Sequence, residues 1–212
     1  MKNLIVLGAS GQIARHVIGM LSDETDVGMT LYLRNAGKLT DAPEGARIVE
    51  GDVLDAGRLD AAMKGQHLVY ANLTGGNLDV QARAVIASME RVGVRRLIFV
   101  LSLGIYDEVP GKFGEWNNAI IGKDLVPFRK AGDAIEASGL DYTIIRPAWL
   151  TDHDEIDYET TGRNEPFKGT EVSRKSVAAF IASIIRNPDL SIGGNIGIDK
   201  PGTEGDKPEF MG

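Results

Sequence analysis

The chain contains no cysteine. That absence excludes a disulfide framework and thiolate-ligated metal sites, and it fits a reducing compartment. No stretch approaches the roughly 20 apolar residues that a membrane-spanning helix needs. Positive charge is scarce, with 23 Lys and Arg against 30 Asp and Glu and a net charge of −7. Nucleic-acid backbones are held through clustered Lys and Arg, so a general nucleic-acid binder is excluded too. The apolar run behind Lys2 is too short for a secretory signal and ends in glycine without a small-residue cleavage site. Asn72-Leu73-Thr74 has the form of a glycosylation acceptor, which carries no weight without secretion. These absences leave a cytoplasmic protein with neither membrane nor nucleic acid as partner. Its 212 residues suffice for one domain, 1–212, around a substantial core.

What is present is organised around the opening stretch. Leu4–Leu7 is an unbroken apolar run, the mark of a strand buried on both faces. Gly8-Ala-Ser-Gly11 makes a tight turn, and Ile13, Val17, Ile18 and Leu21 then recur at helical spacing. Further strands are read at 29–33, 46–50, 67–72, 96–101, 141–146 and 195–199. A helix is predicted from an Asp55 cap through Met63, others over 77–92 and 122–138, and a last one capped by Ser173. Segment 103–118 reads as a loop, and 156–160 with 165–169 as short strand pieces that could form one hairpin. The tail 202–212 is polar and punctuated by Gly and Pro, so it is expected to be mobile unless pinned. Strands alternating with helices without a linker imply an α/β fold: a doubly wound parallel sheet (Rossmann fold) in three α/β/α layers. Small substrate-side elements are expected at 103–118 and 147–172.

A glycine turn between a first strand and an amphipathic helix aims backbone N–H groups, at the positive end of a helix dipole, at a diphosphate. Gly8, Ser10, Gly11, Gln12 and Ile13 are the candidates for that cradle. The second strand ends at Leu33-Arg34 with no acid at its tip, and Lys38 follows. A guanidinium there suits a ribose 2′-phosphate, which favours NADP(H) over NAD(H); a solvated strand-end charge is the alternative. Asp52 and Val53 fall where adenine should lie, with Asp52 either accepting from the adenine amino group or capping the next turn. Ala71 and Asn72 end the fourth strand on the same path.

The chain resembles the atypical short-chain dehydrogenase/reductases, in particular their NAD(P)H-binding, NmrA-like group. The likeness is carried by Gly8-Ala-Ser-Gly-Gln-Ile-Ala14, Gly51-Asp-Val-Leu-Asp55, Val100-Leu-Ser102, Ser138-Gly-Leu-Asp-Tyr-Thr-Ile-Ile-Arg-Pro147 and Ser173-Arg-Lys-Ser-Val-Ala178. Within that group it is similar to the flavin reductase/biliverdin-IXβ reductase type. The resemblance implies NADPH in an open cleft and reduction of a flavin, quinone or similar planar acceptor. It is compatible also with members that sense NADP(H) and catalyse nothing.

Short-chain dehydrogenases usually pair a Ser with Tyr-x-x-x-Lys. Ser102 matches the serine position, but none of Tyr32, Tyr70, Tyr106, Tyr142 and Tyr158 is followed four residues later by Lys. Carbonyl–alcohol chemistry and sugar-nucleotide epimerisation, which need that pair, are therefore disfavoured. Hydride transfer itself needs only proximity and orientation, and a flavin or quinone can take its proton from water. Ser102 is the candidate to orient acceptor or nicotinamide, or else a strand-end hydroxyl bonded to backbone; Tyr106 is a proton donor or a pocket wall. Phe113, Trp116, Pro147 and Trp149 are expected to wall the acceptor pocket, or to pack under a long loop. His16, His67 and Lys130 read as structural or surface groups. The acids and histidine of 151–157 match no metal loop and read as solvated, so no metal is expected. The expected function is an NADPH-dependent oxidoreductase acting on a small planar acceptor, with an NADP(H)-sensing regulatory protein as the alternative and oligomeric state open.

Overall fold

The computed structural model describes residues 2–212; Met1, the first residue of the opening stretch, lies outside them. The apolar run after it becomes β1 (Lys2–Leu7), whose last four residues are buried because both neighbours and both faces are covered. β1 pairs in parallel with β2 (Val27–Leu33) on one side and β4 (Leu68–Ala71) on the other. β3 (Arg47–Glu50) lies outside β2, while β5 (Arg96–Val100), β6 (Asp141–Pro147) and β10 (Gly194–Asp199) continue beyond β4. The strand order is β3-β2-β1-β4-β5-β6-β10-β8, all parallel except β8 (Glu159–Thr161), which runs antiparallel to β10. The order reverses between β1 and β4, which opens a crevice at the carboxyl ends of the strands.

Six helices cover the sheet. α1 (Gln12–Leu21) packs against α6 (Arg174–Arg186) on one face; α2 (Ala56–Met63), α3 (Leu78–Val92) and α5 (Leu125–Glu136) pack together on the other. The core is accordingly split into two apolar clusters, one per face. This is a three-layer α/β/α Rossmann fold. The caps are local: Asp55 accepts from Arg58 N at the start of α2, and Ser173 accepts from Ser176 N at the start of α6.

Three expectations need correction. Segment 103–118 is not all loop, because α4 (Gly111–Ile121) occupies its second half. Phe113, Trp116, Asn117 and Ile120 share a helical face, but Gly111 and Gly114 mask it, since glycine weakens helix propensity. Gly114 persists because a Cβ there would run into the Val109 carbonyl. The helix after it starts at Leu125, later than 122, and holds Pro127 in its first turn, where a missing N–H leaves no hydrogen bond unmade. No hairpin joins 156–160 to 165–169: β8 pairs with β10 and residues 165–169 are not a strand. Instead β9 (Glu171–Ser173) pairs with β7 (Trp149–Thr151) in a separate two-stranded sheet. Partner choice for such short strands is decided by distant chain, here by Phe167 packing where Gly197 has no side chain. The tail is pinned: Thr170 Oγ1 donates to Thr203 O at 2.6 Å, Glu209 N donates to Glu171 Oε2 at 3.1 Å, and Lys112 pairs with Asp206 at 3.2 Å.

Among the described residues, no helix is long and apolar enough to cross a membrane.

Candidate functional site

The turn after β1 places Gly8 at φ +78, in the left-handed region open to glycine, and a Cβ there would collide with the Asn72 carbonyl. A Cβ on Gly11 would likewise meet the Asn72 side chain. The two glycines thus let the turn nestle against the end of β4. Gly11 then enters α1 with no side-chain cap. The N–H groups of Ser10, Gln12 and Ile13 find no acceptor among the described residues. Unmet donors at a helix start, with no acid in its first turn, are what a diphosphate satisfies.

From this turn a cleft of about 200 Å³ runs outward over the carboxyl ends of β1, β2, β3 and β4. Gly8, Ser10, Gly11, Arg34, Asp52, Val53 and Asn72 line it. Of the other expected cofactor residues, Ala71 and Ile13 are buried beneath it, Gln12 is exposed at the start of α1, and Ser102 lies past β5 outside its lining. Tyr32, Leu33, Asn35, Lys38, Gly51, Leu54, Leu73, Thr74, Asn77 and Gln81 also line the cleft. Tyr32 is buried, and its hydroxyl donates to the Asp52 carbonyl at 2.9 Å, fixing the floor beside β3. Burial, with Asp55 close by, pushes its phenol up to about 12, so it stays a donor. Gln81, one turn into α3, donates to Thr74 O at 3.0 Å and to Asn77 Oδ1 at 2.8 Å, folding the 72–77 loop over the rim. No local pattern marks Gln81, because its role depends on where α3 comes to rest.

The electrostatics differ between the ends of the cleft. Arg34 and Lys38 are exposed, and neither side chain has a carboxylate or hydrogen-bond partner among the described residues. Arg15 donates to the Lys38 carbonyl and so ties α1 to this corner. Glu50, at the end of β3, is engaged by Ala36 N at 2.8 Å. Two unpaired cations leave local positive charge at this corner of a chain whose net charge is −7. Asp52 Oδ1 caps the next turn by accepting from Leu54 N at 2.9 Å, while Oδ2 makes no hydrogen bond. Its capping and its cleft-facing position therefore coexist.

Beyond β5, Leu101 N donates to Ile145 O at 2.8 Å and Leu103 N to Pro147 O at 3.1 Å, which extends the pairing with β6 past the formal strand end. Ser102 sits between them, half-buried, its hydroxyl without a partner among the described residues. It is not the backbone-bonded strand-end hydroxyl. Phe113 is 5% exposed and belongs to the core. Trp116 and Trp149 are half-buried with ring centroids 4.8 Å apart, and Trp149 Nε1 donates to Asn117 Oδ1 at 3.0 Å. Pro147 is buried at the end of β6.

Tyr106 goes elsewhere. It lines a second cleft of about 320 Å³ with Glu108, Pro110, Arg163 and Pro166, and it does not line the first. Its hydroxyl accepts from Asn195 Nδ2 at 3.1 Å, and the Arg163 guanidinium lies 4.1 Å from the ring centroid. Burial, then the nearby Glu136 charge, pushes its phenol up, which weakens it as an acid. Of the remaining groups, His67 Nδ1 accepts from Asn3 N at the amino ends of β1 and β4, and Lys130 is exposed on α5. Three of the four acids of 151–157 are engaged: Asp152 by Arg174, Asp154 by Lys175 and Glu155 by Lys200.

Residues 8–188 match the family model described as NAD(P)H-binding. A Rossmann-fold NAD(P)-binding family protein from Shigella flexneri superposes with a TM-score of 0.87 at 57% identity over 100% of both chains. A short-chain dehydrogenase/reductase (wide type) from Veillonella parvula DSM 2008, solved in complex with NADP, gives 0.90 at 28% identity over 99% of each chain. ChuY, an anaerobillin reductase from Escherichia coli O157:H7, shares the fold with a TM-score of 0.84 at 24% identity, over 96% of this chain and 100% of its own.

Proposed function

The chain belongs to the NAD(P)H-binding family, and from that premise we propose that it is an NADPH-dependent reductase acting on a flavin, quinone or other small planar acceptor. The observation that carries the cofactor part is the cleft itself, with unmet helix-start amides at one end and the unpaired Arg34 and Lys38 at the other. In this reading the N–H groups of Ser10, Gln12 and Ile13 hold the diphosphate. Val53 covers the adenine, and Asp52 Oδ2 accepts from its amino group. Arg34 and Lys38 hold the 2′-phosphate, which a carboxylate at that corner would repel. When bound, NADPH supplies a hydride to the acceptor.

The chain's own part in the reaction is to bind and orient. The free Ser102 hydroxyl is placed to donate to the acceptor or to the nicotinamide amide. Segments 103–118 and 147–172 form the substrate side, with Trp116 and Trp149 as an aromatic wall against which a flat ring stacks. Tyr106 lines the second cleft and not the first, and in this reading the acceptor's proton comes from water.

Purified protein mixed with NADPH and a panel of FMN, quinones, dichlorophenol-indophenol and a bilin tests the reading by loss of NADPH absorbance. Cofactor binding with no oxidation across the panel would sink it in favour of an NADP(H)-sensing regulatory protein. The cofactor preference has its own test. Arg34→Ala is expected to lower the ratio of NADPH to NADH affinity by about tenfold or more, as loss of a charge-assisted phosphate contact of 1.5–3 kcal/mol implies. An unchanged ratio means that Arg34 is a solvated charge.

A further inference from the structure

The connection that leaves β5 holds Ser102, yet none of the residues from 104 to 108 lies in a helix or strand. Its order comes from one carboxylate. Glu108, its side chain 3% exposed, turns back on its own loop and accepts from Gly104 N at 3.0 Å through Oε1 and from Tyr106 N at 2.9 Å through Oε2. Arg146, near the end of β6 and with its side chain 0% exposed, donates Nη1 to the same Oε1. Arg146 is itself fixed: Nε donates to Asn195 Oδ1 at 2.7 Å and Nη2 to Gly162 O at 3.1 Å.

We propose that Glu108 and Arg146 are positioning residues, a buried ion pair that clamps the Gly104–Tyr106 turn against β6 so that the substrate-side segment following Ser102 keeps its place. A segment that walls a reactant orients it only while its own backbone is held to a fraction of an ångström. β-sheet pairing fixes the turn as far as Leu103, through its bond to Pro147. Beyond that point Glu108 supplies the acceptors that backbone pairing does not. A neutral acceptor would serve the two amides, but beside Arg146 it would leave a guanidinium buried without its counter-charge. The two residues therefore act as a unit. The holding of the turn stands by itself; its consequence for turnover rests on the reductase reading.

The test uses the full chain as Glu108→Gln, Arg146→Gln and the double variant, in which a neutral amide pair replaces the ion pair and guards against simple misfolding of the singles. In each single, amide exchange at Gly104 and Tyr106 is expected to speed up about tenfold or more while α1 exchanges as in the wild type. NADPH affinity is expected to stay within about twofold, and kcat for the best acceptor to fall about tenfold or more, with the double variant regaining part of both losses. A clamp that only stabilised the fold would lower Tm and leave kcat of the folded protein unchanged. Folded singles with wild-type kcat overturn the proposal, as do wild-type exchange rates at Gly104 and Tyr106. If the wild type itself turned over no acceptor, the reductase reading would fall, and exchange at those two amides would still decide the clamp.

Discussion

Asp199 closes β10 with a carboxylate that is fully buried and makes no hydrogen bond of full geometry. Burial pushes its pKa up to about 6; the amides of Gly169 and Lys168 ease the charge, and Glu159, paired with Lys168, raises it further. The folded chain thus holds this proton more tightly than the unfolded chain does. The stability it contributes is present below the unfolded value near 4 and is lost as pH rises through about 6, with a ceiling on the order of 3 kcal/mol. Asp199→Asn, which never ionises, should be the more stable protein at neutral pH by about 1–2 kcal/mol and should show a flatter pH dependence between about 4 and 6. Denaturant midpoints across that range measure it. Equal slopes in the two proteins would show that Asp199 is not the group titrating. Gly8 makes a second residue-scale case. Its left-handed φ and the Asn72 carbonyl behind it leave no room for a methyl group. Gly8→Ala is expected to cost about 1–3 kcal/mol and to weaken NADPH binding, read by thermal shift and by cofactor fluorescence titration. A variant that binds as tightly as the wild type would remove the turn from the cofactor site.

At the scale of elements, the helix starts divide by purpose. α6 is capped by Ser173, whose hydroxyl accepts from Ser176 N at 2.9 Å and donates to Glu155 O at 2.9 Å. Ser173→Ala removes both and should destabilise the protein by about 1–2 kcal/mol, without changing cofactor affinity. Denaturation with and without NADPH separates the two effects, and a shift in affinity would tie α6 to the cleft. α1 has no such cap, and its start faces the cleft. The first strand, glycine turn and α1 were legible because the signals are local: an apolar run, two glycines and a helical period. α4 was hidden because Gly114 makes room for the Val109 carbonyl and Gly111 takes a left-handed φ of +60, both at the expense of propensity. β7 and β9 were hidden, and the 156–160 piece that overlaps β8 was given the wrong partner, because three-residue strands take their register from distant partners.

At the scale of the whole molecule, the cleft spans the ends of four strands and two loops, so cofactor binding should stabilise the fold as a unit. Saturation at about 100 times Kd adds about 2.7 kcal/mol. For a chain of this size that corresponds to a rise in Tm of about 5–10 °C. NADH at the same concentration should give a smaller rise if Arg34 and Lys38 read the 2′-phosphate. Equal shifts would leave the preference unsupported.

The sequence by itself determined the layered α/β architecture, the glycine turn after β1 and the basic corner at Arg34, because each is written within a few consecutive residues as period, glycine spacing or charge. Only the tertiary structure decided where the aromatic and polar side chains beyond β5 point. Tyr106 turns to Asn195 and away from the cleft beside Gly8, Phe113 sinks into the core, and Trp116 meets Trp149. Such outcomes depend on which residues far along the chain arrive beside them. Arg146 reaching Glu108 across 38 positions, and Asn195 reaching Arg146 across 49, are contacts that no local pattern encodes.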